Sequence, residues 1–180
     1  SQAIGSQDEV SAAIDPANPA ILLAGSNSLQ DDLSVRVYGS TDAGLHWTTA
    51  PLPLPSTVKL PGAVDQWAAI GPNHEQAMAY VAFGRLPQSR TTFDGLTLYV
   101  ATRGGPAADW QAPTTPVAGL PPQGNGGSFD DKPALAFDNG ASSPYRGRLY
   151  VAWTRWMGQV GWVLVSHSVD GGHTWTAPLT

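Results

Sequence analysis

An all-β fold of three four-stranded antiparallel units, stacked like the blades of a propeller, is what this 180-residue sequence predicts. Three observations carry the prediction. The phrase Ser-x-Asp-x-Gly-x-x-Trp occurs at Ser40–Trp47 and again at Ser168–Trp175, and a worn copy ends at Trp110, so the three Trp residues stand 63 and 65 positions apart. Gly (20) and Pro (16) are plentiful while charged residues make up only 13%, a profile of short strands and tight turns rather than long surface helices. Each unit also contains a wholly apolar run, as a strand covered on both faces requires.

The elements follow one order in every unit. An extended run after acidic residues comes first, as DEVSAAIDP (8–16), DQWAAIGP (65–72) and DDKPALAFD (130–138). The apolar run is next, as AILLAG (20–25), AMAYVAFG (77–84) and RLYVAWT (148–154). A third strand leads into the repeated phrase, as SVRVYGS (34–40), LTLYVAT (96–102) and GWVLVSHS (161–168). A short TTAPL, WQAPT or WTAPL segment supplies a fourth. β-Branched and aromatic residues bounded by Gly, Pro, Asn and Asp mark these as strands. Units this small cannot bury their own faces and must stack. The blades run 1–58, 59–122 and 123–180, joined by the Pro-rich stretches APLPLPSTVKLPG and PTTPVAGLPPQGNGG. A β-sandwich accommodates the same strands, but it does not require a Trp at a fixed place in each unit.

Composition removes several function classes. A net charge of -5 cannot neutralise a run of phosphates, so no nucleic-acid partner is expected. No Lys/Arg cluster marks a membrane surface, and no apolar run is long enough to span a bilayer. Without Cys there are no disulfides and no thiolate metal sites. No signal peptide is read, although the chain does not begin with Met; the expectation is a soluble protein, secreted or periplasmic.

The repeated phrase reads as a turn lock. Gly44 and Gly172 supply the positive φ of a tight turn, Asp42 and Asp170 accept hydrogen bonds from turn N–H groups, and Ser40 and Ser168 add another. Trp47 and Trp175 then pack on the blade. This structural role removes Asp42 and Asp170 from the catalytic candidates. The phrase resembles the Asp-box, or BNR repeat, of sialidases and related propellers, matching at every defined position in both full copies. The resemblance implies a sialidase-like β-propeller, of which three blades make half a six-bladed ring. It also implies a ligand site on the rim opposite the boxes.

That rim gathers the candidates. Asn27, Arg85 and Arg155 end the second strands, with Arg90 further along one loop. Guanidinium forks bind carboxylates at two points, and sialidases use an arginine cluster for the sugar acid. The alternative is that these Arg pair with Asp or backbone carbonyls. GRLP at Gly84–Pro87 is similar to the family's Arg-Ile-Pro element but stands in the wrong place and is read as coincidence. Among the inner strands Glu9 aligns with Asp65 and Lys132, beside Asp8, Asp130 and Asp131. Glu9, Asp65 and Asp131 are the weak candidates for general acid and base; strand capping or Ca²⁺ binding are the alternatives. Asp31 and Asp32 form a solvated acidic loop. Trp156 suits stacking on a sugar or folds back on its blade, and Trp67 is expected in the core. No His pair has metal-ligand spacing, so no metal site is expected, with Ca²⁺ the sole cofactor possibility.

The expected function is glycan binding without catalysis. A sialidase-like exo-glycoside hydrolase acting on acidic sugars, or a protein-interaction scaffold, is the alternative. No Tyr nucleophile with an adjacent Glu is recognisable, since Tyr145 falls on the Asp-box rim. Three blades leave two apolar faces open, so a homodimer closing a six-bladed ring is expected.

Overall fold

The computed structural model describes residues 6–29, 33–55, 61–85, 93–119 and 127–180. Every element among them is a strand. Blade 1 contains β1 (Gln7–Ile14), β2 (Leu22–Ser28), β3 (Ser34–Ser40) and β4 (Thr48–Pro51) in an antiparallel sheet of order β1-β2-β3-β4. Blade 2 contains β5 (Pro61–Ile70), β6 (Gln76–Arg85) and β7 (Phe93–Arg103), in that order. Blade 3 contains β8 (Ser128–Phe137), β9 (Leu149–Met157) and β10 (Val160–Ser168), again in sequence order. In blades 2 and 3 the expected fourth strand shrinks to single bridges, Thr102 with Gln111 and Val165 with Leu179. No helix of the described residues is long and apolar enough to cross a membrane.

The sheets stack face to face, and two cores form between them. One lies between blades 1 and 2, with Leu23, Val35 and Val37 facing Met78, Tyr80 and Tyr99. The Tyr80 and Tyr99 rings stack at 6.2 Å, and the buried Tyr80 hydroxyl donates to the Pro53 carbonyl at 3.2 Å. The second core lies between blades 2 and 3, with Ala77, Ala79, Leu98 and Val100 against Leu135, Val151, Trp153 and Leu164. Blade 2 is therefore buried on both faces, which explains the unbroken apolar run of β6. At Gly25 in β2 the backbone passes so close to Gln66 of the next blade that a Cβ would stand 2.5 Å from its Oε1. A larger residue there would have to displace the Gln66 amide.

The repeated turns share one hydrogen-bond pattern. Ser40 Oγ donates to Asp42 Oδ1 (2.8 Å) and accepts from the Gly44 N–H (3.0 Å). Asp42 accepts from the His46 N–H at 2.9 Å, and the Trp47 indole donates to the Gly44 carbonyl at 3.0 Å. In the second copy Ser168 bonds Asp170 at 2.7 Å and Gly172 N at 2.8 Å, Thr174 N donates to Asp170 at 2.9 Å, and Trp175 donates to the Gly172 carbonyl at 3.2 Å. Gly44 and Gly172 have φ of 87° and 94°. Hydrogen bonds from His46 hold Asp42 down at about 2, and those from Thr174 hold Asp170 lower still. Both carboxylates are spent on their own turns. In the worn copy Arg103 occupies the serine position, binding Gln76 Oε1 through Nε (2.8 Å) and Nη2 (2.6 Å) and lying 4.7 Å from the centre of the Trp110 ring.

Candidate functional site

The innermost strand of each blade breaks its ladder at one equivalent place. In β1 the pairing jumps from Asp8–Asn27 to Ser11–Gly25; in β5 from Val64–Val81 to Trp67–Ala79; in β8 from Asp131–Thr154 to Ala134–Ala152. Two residues on the inner strand thus oppose one on its partner, which defines a β-bulge. The first bulge residue is Glu9, Asp65 or Lys132, with φ of 47°, 56° and 48°. That left-handed conformation favours glycine, and a bulky residue there carries strain. Three ionisable side chains sharing one strained geometry converge on the propeller axis.

They meet directly. Lys132 Nζ donates to Glu9 and lies 3.3 Å from Asp65 Oδ1. Asn27, buried at the end of β2, joins two of the bulges: its Nδ2 donates to Glu9 Oε2 at 3.0 Å, and its Oδ1 accepts from the Asp65 N–H at 3.0 Å. Gln66 Nε2 donates to the Glu9 carbonyl, and Ser11 Oγ accepts from the Ala68 N–H at 3.0 Å, so blades 1 and 2 interlock behind the cluster. Hydrogen bonds from Asp65 and Lys132 hold Glu9 down at about 2. Burial and the neighbouring Glu9 push Asp65 up to about 7. Burial opposes the charge of Lys132, but the two carboxyl groups outweigh it and raise the ammonium.

Glu9, Asp65 and Lys132 line an open recess of about 250 Å³ with Val10, Gln66, Trp67, Pro133 and Ala134. Trp67 is 45% exposed and forms an apolar wall beside the polar groups. This corrects the expectation of a core Trp: the inserted bulge residue reverses the alternation begun at buried Ala63 and turns Trp67 to the other face.

The other expected residues have different fates. Arg155 is buried rather than open to a ligand. Its Nε and Nη2 donate to Asp130 at 2.7 and 2.9 Å, while Nη1 and Nη2 reach the carbonyls of Gly119 and Ala118 at 3.1 and 3.2 Å. Fully buried Asp130 also accepts from the Trp153 indole (2.9 Å) and the Leu98 N–H (3.1 Å), tying blade 3 to blade 2. The guanidinium is consumed by the pairing with Asp and carbonyls that stood as the alternative reading. Asn27 likewise positions Glu9 and Asp65 instead of facing the recess as a ligand group. Arg85 ends β6 with its side chain outside the described residues, and Arg90, Asp31 and Asp32 lie outside them entirely. Trp156 stacks on Phe129 at 6.3 Å, and its indole donates to Asp131 Oδ2 at 3.2 Å. Asp131 also reaches Asp65 through its side chain, so it stands at the edge of the axial cluster. Gln66 and the interlock it makes had no counterpart in the sequence reading. Pro133, mid-strand in β8, was the one legible sign of a bulge. Among the described residues, no group of three or more His, Asp or Glu side chains is arranged to hold a metal ion.

Stacked antiparallel sheets whose innermost strands share an axial recess are the blades of a β-propeller. The particular likeness is to sialidases. The structure of Trypanosoma rangeli sialidase matches with a TM-score of 0.60 at 16% identity, covering 98% of this chain and 31% of that one. The same enzyme in complex with sialic acid matches with a TM-score of 0.57 at 15% identity, covering 96% of this chain and 30% of that one. A mutant of it displaying trans-sialidase activity matches with a TM-score of 0.58 at 17% identity, over 97% and 31% of the two chains. The chain has a sialidase-like propeller fold and spans 31% of the length of the first of these structures. No family model and no curated protein matches the sequence.

Proposed function

We propose that this chain is a non-catalytic, glycan-binding part of an Asp-box (BNR-repeat) propeller, taking a sugar in the axial recess. The observation that carries the reading is the exposed Trp67 beside Glu9, Asp65 and Lys132 in one open recess. An indole face offers an apolar platform to the C–H face of a sugar ring, and the cluster offers donors and acceptors to its hydroxyls. Ligand sites commonly combine apolar walls with a few placed polar groups. The sialic-acid complex of the similar sialidase supports a sugar as the ligand class. The two hydrogen-bond patterns at Ser40–Trp47 and Ser168–Trp175 support the Asp-box reading. A secreted or periplasmic location accords with such a ligand, and the reading requires no cofactor.

The carboxyl geometry argues against hydrolysis. Glycosidase carboxyls stand ~5–9 Å apart so that a glycosidic bond lies between them. Glu9 and Asp65 instead both pair with the one Lys132 ammonium, which commits the two carboxyls to an ion pair. A neutral sugar also suits this cluster better than an acidic one, because an added carboxylate would face Glu9 while Arg155 is already paired. We further propose that two copies close a six-bladed ring.

Glycan-array binding followed by calorimetry tests the function, with Trp67→Ala beside the wild type. Loss of a platform aromatic should weaken sugar binding by about 1–3 kcal/mol. Equal binding by both proteins, or none by the wild type, would sink the proposal. Turnover of a fluorogenic sialoside would instead establish the hydrolase alternative.

A further inference from the structure

The outermost faces of blades 1 and 3 carry the side-chain pattern of the buried interblade surfaces. Aligned on the bulges and on the repeated turns, Val35 and Val37 of β3, Leu98 and Val100 of β7, and Val163 and Val165 of β10 are equivalent. The first two pairs are buried in the two cores. Val163 and Val165 are 67% and 43% exposed. Phe83 of β6, buried, is the counterpart of Trp156 in β9, which stacks on Phe129 on the open side of blade 3. The opposite face of blade 1 shows the complementary set. Ile14 is the counterpart of buried Ile70 and Val10 that of buried Gln66, yet they are 65% and 79% exposed.

Among the described residues no sheet covers the outer face of blade 1 or of blade 3, and each presents the half of an interface that the other would complete. We infer that the outer face of blade 3, centred on Val163, Val165 and the Phe129–Trp156 pair, docks on the outer face of blade 1 of a second copy at Val10 and Ile14. Twofold symmetry makes the same contact twice and closes the ring. The inference rests on the ring closure proposed above, and it meets the sugar recess at Val10, which lines both. It assigns Trp156 to the interface rather than to a sugar. It also brings the second copy's Glu9–Asp65–Lys132 cluster across the axis, so that two recesses share one funnel.

A head-to-tail contact has a signature that a contact between two like faces lacks. Val163→Asp damages only the blade 3 face and Ile14→Asp only the blade 1 face. Each alone should weaken self-association by about 100-fold or more, since each buries an unpaired carboxylate. Mixed together, the two variants should associate again through the one contact that remains wild type on both sides. Sedimentation velocity on the full chain at about 50 µM reads this directly, with near-ultraviolet circular dichroism confirming that each variant is folded. Leu45→Asp, on an exposed turn belonging to neither face, should associate like the wild type. A wild-type monomer of 18.8 kDa would overturn both the ring and this pairing. A wild-type dimer that Ile14→Asp leaves intact would overturn the pairing alone.

Discussion

Asp65 makes the stability of this protein depend on pH in a direction opposite to that of most carboxylates. Burial and the adjacent Glu9 push it up to about 7, against an ordinary value of 3.8. Between those two values the folded protein keeps a proton that the unfolded chain has released. Stability therefore falls as pH rises through the window: the contribution is complete below the ordinary value and gone above the raised one. Each pH unit inside the window is worth ~1.4 kcal/mol, so the interval from pH 5 to 7 carries on the order of 2–3 kcal/mol. Glu9 works in the other sense, but between about 2 and its ordinary 4.5, so its effect is over before the interval begins. Asp65→Asn keeps the size and polarity of the side chain and removes the titration. Urea unfolding of both proteins in half-unit steps across the interval measures the difference, and histidine titrations common to both cancel in it. The variant should lose less stability than the wild type by the stated amount. Parallel losses in the two proteins would refute the shared proton at the axis.

Two substitutions elsewhere probe the supports of the site. Ser168→Ala leaves the half-buried Gly172 N–H without its 2.8 Å partner and should cost about 1 kcal/mol in stability, read from the denaturation midpoint. An unchanged midpoint would show that Asp170 alone locks the turn. Arg155→Ala strands the fully buried Asp130 and should cost about 3–5 kcal/mol. A variant with wild-type stability and lost sugar binding would return Arg155 to the ligand site.

The blades were legible because their signal is local and repeated. Ser40 and Ser168 bond within four residues of themselves, and matching the acid-led starts of the inner strands aligned Glu9, Asp65 and Lys132 correctly. What those three do was hidden, because a bulge opened by Glu, Asp or Lys at positive φ has no residue-type signature; the turns built on Gly44 and Gly172 do. The same insertion reversed the face of Trp67, which simple alternation assigns to the core. Which of its two readings Arg155 follows was hidden for a different reason. Its partner Asp130 lies on the neighbouring strand, two residues before a bulge, and only the assembled sheet shows that the pair is buried. The fourth strands of blades 2 and 3 were overread, because TTAPL, WQAPT and WTAPL are alike in sequence and yet only the first pairs along its length.

The three bulges separate the shape of this centre from its chemistry. One backbone conformation holds a glutamate, an aspartate and a lysine at equivalent stations around the axis. The backbone of the socket accepts three such different heads, so its shape does not dictate its charge; the side-chain pairing does, since Asn27 and Lys132 both bind Glu9. The blades supply a turret, and the residue in each mount sets what it is aimed at.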